Sequence, residues 1–188
     1  GGPRRHRDGA GQARVDAGTM SAGAALPARP GRRRLARLGV IQALYQIEIS
    51  ATPVESVIAE FMAHRLGQEL DGDRYGEADS DFFSTVVRGV SRRRPDLDEM
   101  IAAALTTDWT VERLDAILRQ ILRAGAFELA DRPDVPARVA INEYLDLAKA
   151  FFEGPESRLV NGVLDRLGHV LRPDELGAAP QEMAAESG

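Results

Sequence analysis

The chain has 188 residues, is 44% hydrophobic and 28% charged, contains no cysteine and carries a formal net charge of −5. That length suits one domain with tails, and the lack of thiols excludes disulfides, thiolate metal sites and cysteine nucleophiles. Only 5% of the residues are aromatic and few runs are β-branched, so helices are favoured over a sheet.

Residues 1–31 are rich in Gly, Ala, Arg and Pro and poor in large apolar side chains. They read as a disordered basic arm, because they cannot bury enough surface to fold. Met20 is a candidate natural start. The arginines are followed by no apolar stretch of a secretory signal, and no run is long enough to cross a membrane, so the expected location is the cytoplasm. Residues 1–37 hold nine arginines against Asp8 and Asp16, a charge of +7, and the remainder holds 15 basic and 27 acidic side chains, a charge of −12. A basic arm on an acidic body suits a polyanionic partner.

The folded part is expected over residues 32–172. Helix after helix is predicted there, about seven in all, with no convincing strand. The first runs from Arg32 to Ile49 with Leu38, Ile41, Tyr45 and Ile49 on one stripe. Thr52-Pro53 starts a second, carrying Val57 and Phe61. Gly67 to Gly76 is polar and glycine-rich and reads as a loop. Asp79 or Ser80 caps a third, with Phe83, Val86, Val87 and Val90 inward. Pro95 is expected to interrupt it, with a short helix resuming from Asp96 to Leu105. A central helix spans Val111 to Ala130, with Leu114, Ile117, Leu118, Ile121, Leu122, Gly125 and Leu129 at helical spacing. Arg132-Pro133-Asp134-Val135-Pro136 breaks it. The next helix ends near Phe152, with Ile141, Leu145 and Ala148 on its face. After Gly154-Pro155 comes the last, with Val160, Val163, Leu164, Leu167 and Leu171. Residues 173–188 read as a second disordered tail.

No catalytic constellation is visible. His6, His64 and His169 stand far apart without ligand spacing, and none of the usual nucleophile, nucleotide or zinc motifs is present. No enzyme activity, metal or cofactor is expected. The signal lies instead in arginine. Arg33, Arg34 and Arg37 share one side at the start of the first helix, where cations oppose the macrodipole and cost a few tenths of a kcal/mol each. An anionic partner would offset that. Arginine also binds phosphate bidentately and stacks on bases. The plain alternative is a charged run continuing the tail. A second feature is "FFEGPESRLVNGVLDRL", residues 151–167. Arg158 falls in the first turn of the last helix beside free backbone N–H groups, a plausible phosphate seat. Asn161 carries donors and an acceptor suited to a base edge. Gly162, inside the helix, costs about 1 kcal/mol relative to alanine. It calls for a close helix crossing or a ligand against bare backbone, the crossing being the commoner reason.

These pieces together resemble the NusB family of transcription antitermination factors. "RLGVIQALYQ" resembles that family's first helix, "ILRAGAFEL" with "DVPARVAINEYLDLAKAF" its central helix and the one after it, and "RLVNGVLDRL" its C-terminal signature. The resemblance runs from about residue 32 to 172. It implies an all-α fold of two packed helical subdomains. It also implies binding of single-stranded boxA RNA from ribosomal RNA leader transcripts together with NusE, a small-subunit ribosomal protein, in an RNA polymerase antitermination complex. Carried over by position, it implies RNA contacts from Arg33, Arg34, Arg37, Gln42, Tyr45, Arg158 and Asn161. The family often has Lys where Arg158 stands and Phe where Leu159 stands, so a base stacked on that Phe has no counterpart at Leu159. For the protein partner, Arg113, Asp115 and Arg119 on the central helix are the expected exposed contacts. Two other readings compete. One is the NusB-like module of a ribosomal RNA cytosine methyltransferase, for which the stretch after Pro173 leaves no catalytic domain. The other is a helical protein adaptor without RNA binding.

Overall fold

The computed structural model describes residues 31–66, 78–106 and 108–177. The basic arm up to residue 30, the loop Gly67–Gly76 and residues 178–188 of the tail lie outside the described residues. Seven α-helices and one 3-10 turn follow in order: α1 (Arg32–Ser50), α2 (Val54–His64), α3 (Ser80–Ala104), the turn Val111–Arg113, α4 (Ala116–Asp131), α5 (Ala137–Phe151), α6 (Glu156–Leu171) and α7 (Pro173–Leu176). There is no strand among the described residues, and no described helix is long and apolar enough to cross a membrane.

The helices form two groups around one core: α1, α2 and α3 pack together, as do α4, α5 and α6, and α4 joins the groups through α1 and α3. A helix with neighbours on every side must be apolar nearly all round. Accordingly Leu118, Ile121, Leu122, Ala124, Ala126, Phe127 and Leu129 of α4 are all buried. Two glycines set the close crossings. A Cβ on Gly125 would meet the methyls of Leu164 on α6 at 2.8 and 2.9 Å, and one on Gly89 of α3 would meet the Phe127 ring at 2.1 Å.

Four expectations need correction. Pro95 does not interrupt α3, which runs through it from Ser80 to Ala104. A proline there removes the bond to the Ser91 carbonyl, at about 3 kcal/mol. Val86, Val87 and Val90 before it and Leu97, Ile101 and Ala104 after it all enter the core, which holds one helix together across the gap. The central helix does not begin at Val111. Asp115 caps α4 by accepting from the Ile117 and Leu118 N–H groups at 2.8 and 3.4 Å, and the residues before it form the 3-10 turn. The stripe of α1 is right at Ile41, which is fully buried, and wrong at its end. Ile49 is 63% exposed, whereas Ala36, Gly39, Val40, Ala43 and Leu44 are buried, because small residues let α1 approach two neighbours closely. Lastly, order continues past Pro173. Arg172 donates to the carbonyls of Leu129 and Arg132, both at 2.8 Å, completing the C-terminus of α4. Glu175 accepts from the Ala137 N–H at 2.7 Å at the start of α5, and these bonds anchor α7.

Candidate nucleic-acid interface

α1 begins with no side-chain cap and no acidic residue in its first turn. Acids from other elements meet its arginines instead. Arg33 faces Asp134 at 3.3 Å and Asp79 at 3.6 Å, with 45% of its side chain exposed. Arg34 donates to Asp146 of α5 at 3.3 Å, and its Nε is buried without a hydrogen-bond partner. The largely exposed pair of Arg33 with Asp134 contributes about 0–1 kcal/mol, so a phosphate can displace it, whereas the Arg34 pair is partly buried, with 22% of the Arg34 side chain exposed. Asp134 keeps its charge, because two hydrogen bonds from Arg132 hold its carboxyl at about 2.

Arg37 is different, and its expected phosphate contact does not survive. Only 3% of the residue is exposed. Its Nε and one terminal nitrogen donate to the two Glu128 oxygens, each at 2.8 Å. Tyr144, fully buried, donates its hydroxyl to the same carboxylate at 2.5 Å. Burial alone would lower the Arg37 pKa, but the Glu128 hydrogen bonds and charge win and raise it. Burial, followed by the Glu128 charge, pushes the Tyr144 hydroxyl far up. The Arg37 guanidinium also lies 4.9 Å from the Phe82 ring centre, with Arg132 at 4.9 Å and Arg33 at 5.2 Å from the same ring. The helix phase thus splits the arginine cluster, with Arg33 at the surface and Arg37 one turn further on in the core. Glu128 and Tyr144 carried no sequence signal of their own, since an acid in an apolar helix is ordinarily assigned to a solvated face.

Gln42 and Tyr45 lie further along α1. Both line a groove of about 370 Å³ with Ile41, Ile49, Ile117 and Phe151. Gln42 is exposed and Tyr45 half-buried, so the phenol can serve a ligand face while its body packs.

Arg158 and Asn161 project from the start of α6, and both are exposed. Among the described residues no carboxylate pairs with Arg158, and Asn161 makes no side-chain hydrogen bond. Arg158 lines a different groove with Trp109 and Leu159, and Asn161 is not among that groove's lining residues. The principal neighbours of α6 are α5, α4 and α3. The seven residues expected at the RNA site therefore fall into three places: a paired edge at the start of α1, a groove along α1, and an unpaired edge on α6. Gly162, one residue on, has nothing within 4 Å of where a Cβ would stand. Close packing is not its reason.

The expected protein-contact residues divide as well. Arg113 is exposed. Asp115 is exposed but holds the α4 cap. Arg119 is not the free surface cation expected. It donates to both the Glu48 carboxylate and the Leu114 carbonyl, the latter at 3.0 Å, and its side chain is 15% exposed. Glu48 is a hub that also accepts from Arg123 at 2.6 Å and Gln120 at 2.9 Å. Burial pushes its carboxyl up, but the bonds from Arg119, Arg123 and Gln120 outweigh that and hold it at about 2. No group of histidines and acids among the described residues is arranged to hold a metal.

Comparison with known proteins places these features in context. The model of the NusB family matches residues 34–169. The Transcription antitermination protein NusB of Sinorhizobium fredii is 53% identical over 141 residues, covering 75% of this chain and 88% of that protein. Its namesake from Brucella ovis is 50% identical over 156 residues, covering 83% and 91%. A solved NusB structure from T. maritima superposes with a TM-score of 0.61 at 28% identity, over 82% of this chain and 96% of that one. A chain from the structure of the antitermination factors NusB and NusE in complex with dsRNA shares the fold, with a TM-score of 0.58 at 21% identity over 74% and 97% of the two chains. The expected all-helical fold agrees with these neighbours, and with a family match across most of its length and half-identical relatives over three quarters of it, the chain belongs to the NusB family.

Proposed function

We propose that this NusB-family protein acts in bacterial transcription antitermination. In this reading it holds single-stranded boxA-type RNA of ribosomal RNA leader transcripts together with NusE, and the pair suppresses termination by RNA polymerase in the cytoplasm. Its role is binding, with no catalytic step. The name of its half-identical relatives supports antitermination, and the solved complex of NusB and NusE with dsRNA supports the choice of partners.

The observation that carries the reading is the pair Arg158 and Asn161, both exposed on α6 and, among the described residues, without an acid or side-chain hydrogen bond, on a body that is otherwise strongly acidic. An arginine left free supplies phosphate affinity, a free amide supplies base reading, and the surrounding carboxylates repel RNA from other faces. Arg33 and Arg34 add phosphate contacts by exchanging their surface acids for RNA. Gln42 and Tyr45 supply a polar and a stacking contact in the α1 groove. Arg113 remains the exposed candidate for the protein partner.

The test is fluorescence anisotropy with a labelled boxA-like oligonucleotide, with and without NusE. Binding tighter than to an unrelated oligonucleotide of equal length, and tightened further by NusE, is the expected result. Equal, salt-insensitive binding of both RNAs in both conditions would overturn it.

A further inference from the structure

The groove beside α6 contains a residue that none of the roles above uses. Its walls are the start of α6 and the connector after α3, and Thr106, Trp109, Pro155, Arg158, Leu159 and Gly162 line its volume of about 310 Å³. Trp109 is the chain's single tryptophan, and 43% of it is exposed. A buried aromatic ring is among the largest apolar contributions a fold can gain. Here the ring stands in a polar connector, open to solvent, in one groove with Arg158, a cation that pairs with no acid among the described residues.

Three further observations select the occupant. Arg158 and Arg166 outnumber Glu156 on the walls, so the groove is net positive and suits an anion. Gly162 presents bare backbone with open space above it, despite its helical penalty, so a chain can lie flat against α6 there. Leu159 is half-buried among the core residues and offers no π-face. A planar aromatic and an arginine without an acid partner among the described residues, lining one groove, are together the chemistry of a single-stranded nucleic-acid site rather than of a peptide groove.

We propose that Trp109 is the base-stacking platform of the RNA site. One base of a single strand lies on the indole while its phosphate reaches Arg158, and the sugar–phosphate chain passes over the open backbone at Gly162. This inference rests on the RNA-binding reading and adds to it the residue that grips a base.

Because Trp109 is the sole tryptophan, its emission reports the contact directly. The full-length protein is titrated with a labelled single-stranded RNA oligonucleotide, alone and with NusE, and anisotropy and tryptophan emission are read in parallel. Quenching that tracks the anisotropy is expected. Trp109→Ala should bind about 5- to 150-fold more weakly, the equivalent of one lost stacking contact. It should keep the wild-type melting temperature and the wild-type salt dependence, and Trp109→Phe should recover most of the loss. RNA binding with unchanged emission, and with undiminished affinity in Trp109→Ala, would overturn the stacking role and leave the RNA reading standing. Emission that responds to NusE but not to RNA would also overturn it, assigning the ring to the protein partner. No RNA binding by the wild-type protein in either condition would overturn both.

Discussion

Arg37 and Arg158 both stand near the start of a helix, and both point to phosphate in the sequence. The fold gives them opposite fates. Arg37 is locked to a buried carboxylate and a buried tyrosine, and Arg158 pairs with no acid among the described residues. An arginine is available to RNA only if the fold has not buried it against an anion of its own. Helix phase, not the density of arginines, decides which it is.

The largest expected effects come from breaking the buried side of that contrast. Arg37→Ala strands the Glu128 charge in the core and should cost about 3–5 kcal/mol, read as a lower urea midpoint. Arg37→Met combined with Glu128→Leu should lose much less than the two single variants summed, because the buried ions go together. Ordinary core truncation sets the scale. Leu118→Ala and Leu164→Ala should each cost about 2–5 kcal/mol, since both are essentially inaccessible in the structure.

Acid should attack the second ion network. The folded Glu48 carboxyl, at about 2, lies below its ordinary value of 4.5, so its contribution is complete above the ordinary value. It is lost as pH falls from there through about 2. Wild-type stability should fall across that window, and Glu48→Gln should show a flatter profile with a lower plateau at neutral pH.

The surface side should respond in smaller and different ways. Gly162→Ala meets no neighbour and should stabilise α6 by about 0.5–1 kcal/mol while weakening RNA binding. A stabilised variant with unaltered RNA affinity would remove Gly162 from the interface. Arg158→Ala should leave the melting temperature unchanged and act on RNA alone.

Much of this fold was legible because α4, α5 and α6 carry long, regular apolar spacing, and Asp79 and Pro155 mark helix starts. The misreadings share a cause: local rules were overruled by packing. Pro95 sits inside α3 because the core grips the helix on both sides. α1 is buried through Ala36, Gly39 and Ala43, residues too small to stand out in a hydrophobic stripe. The exposure of the candidate residues was legible where they serve no internal contact among the described residues, as at Arg158 and Asn161. It was misread at Arg37 and Arg119, whose partners Glu128 and Glu48 are distant in sequence. Trp109 drew no reading from the sequence, because only the fold sets it in one groove with Arg158.

The central claim is that the surface arginines carry the phosphates and the buried one does not. The direct measurement is the slope of log affinity against log salt for a single-stranded RNA, compared between variants. Each phosphate contact to a single strand contributes about −0.7 to that slope. The account predicts that Arg158→Ala, Arg33→Ala and Arg34→Ala each flatten it by about that amount, while Arg37→Lys, tested at a temperature where it is folded, leaves it unchanged. A slope flattened by Arg37→Lys and indifferent to Arg158→Ala would contradict it.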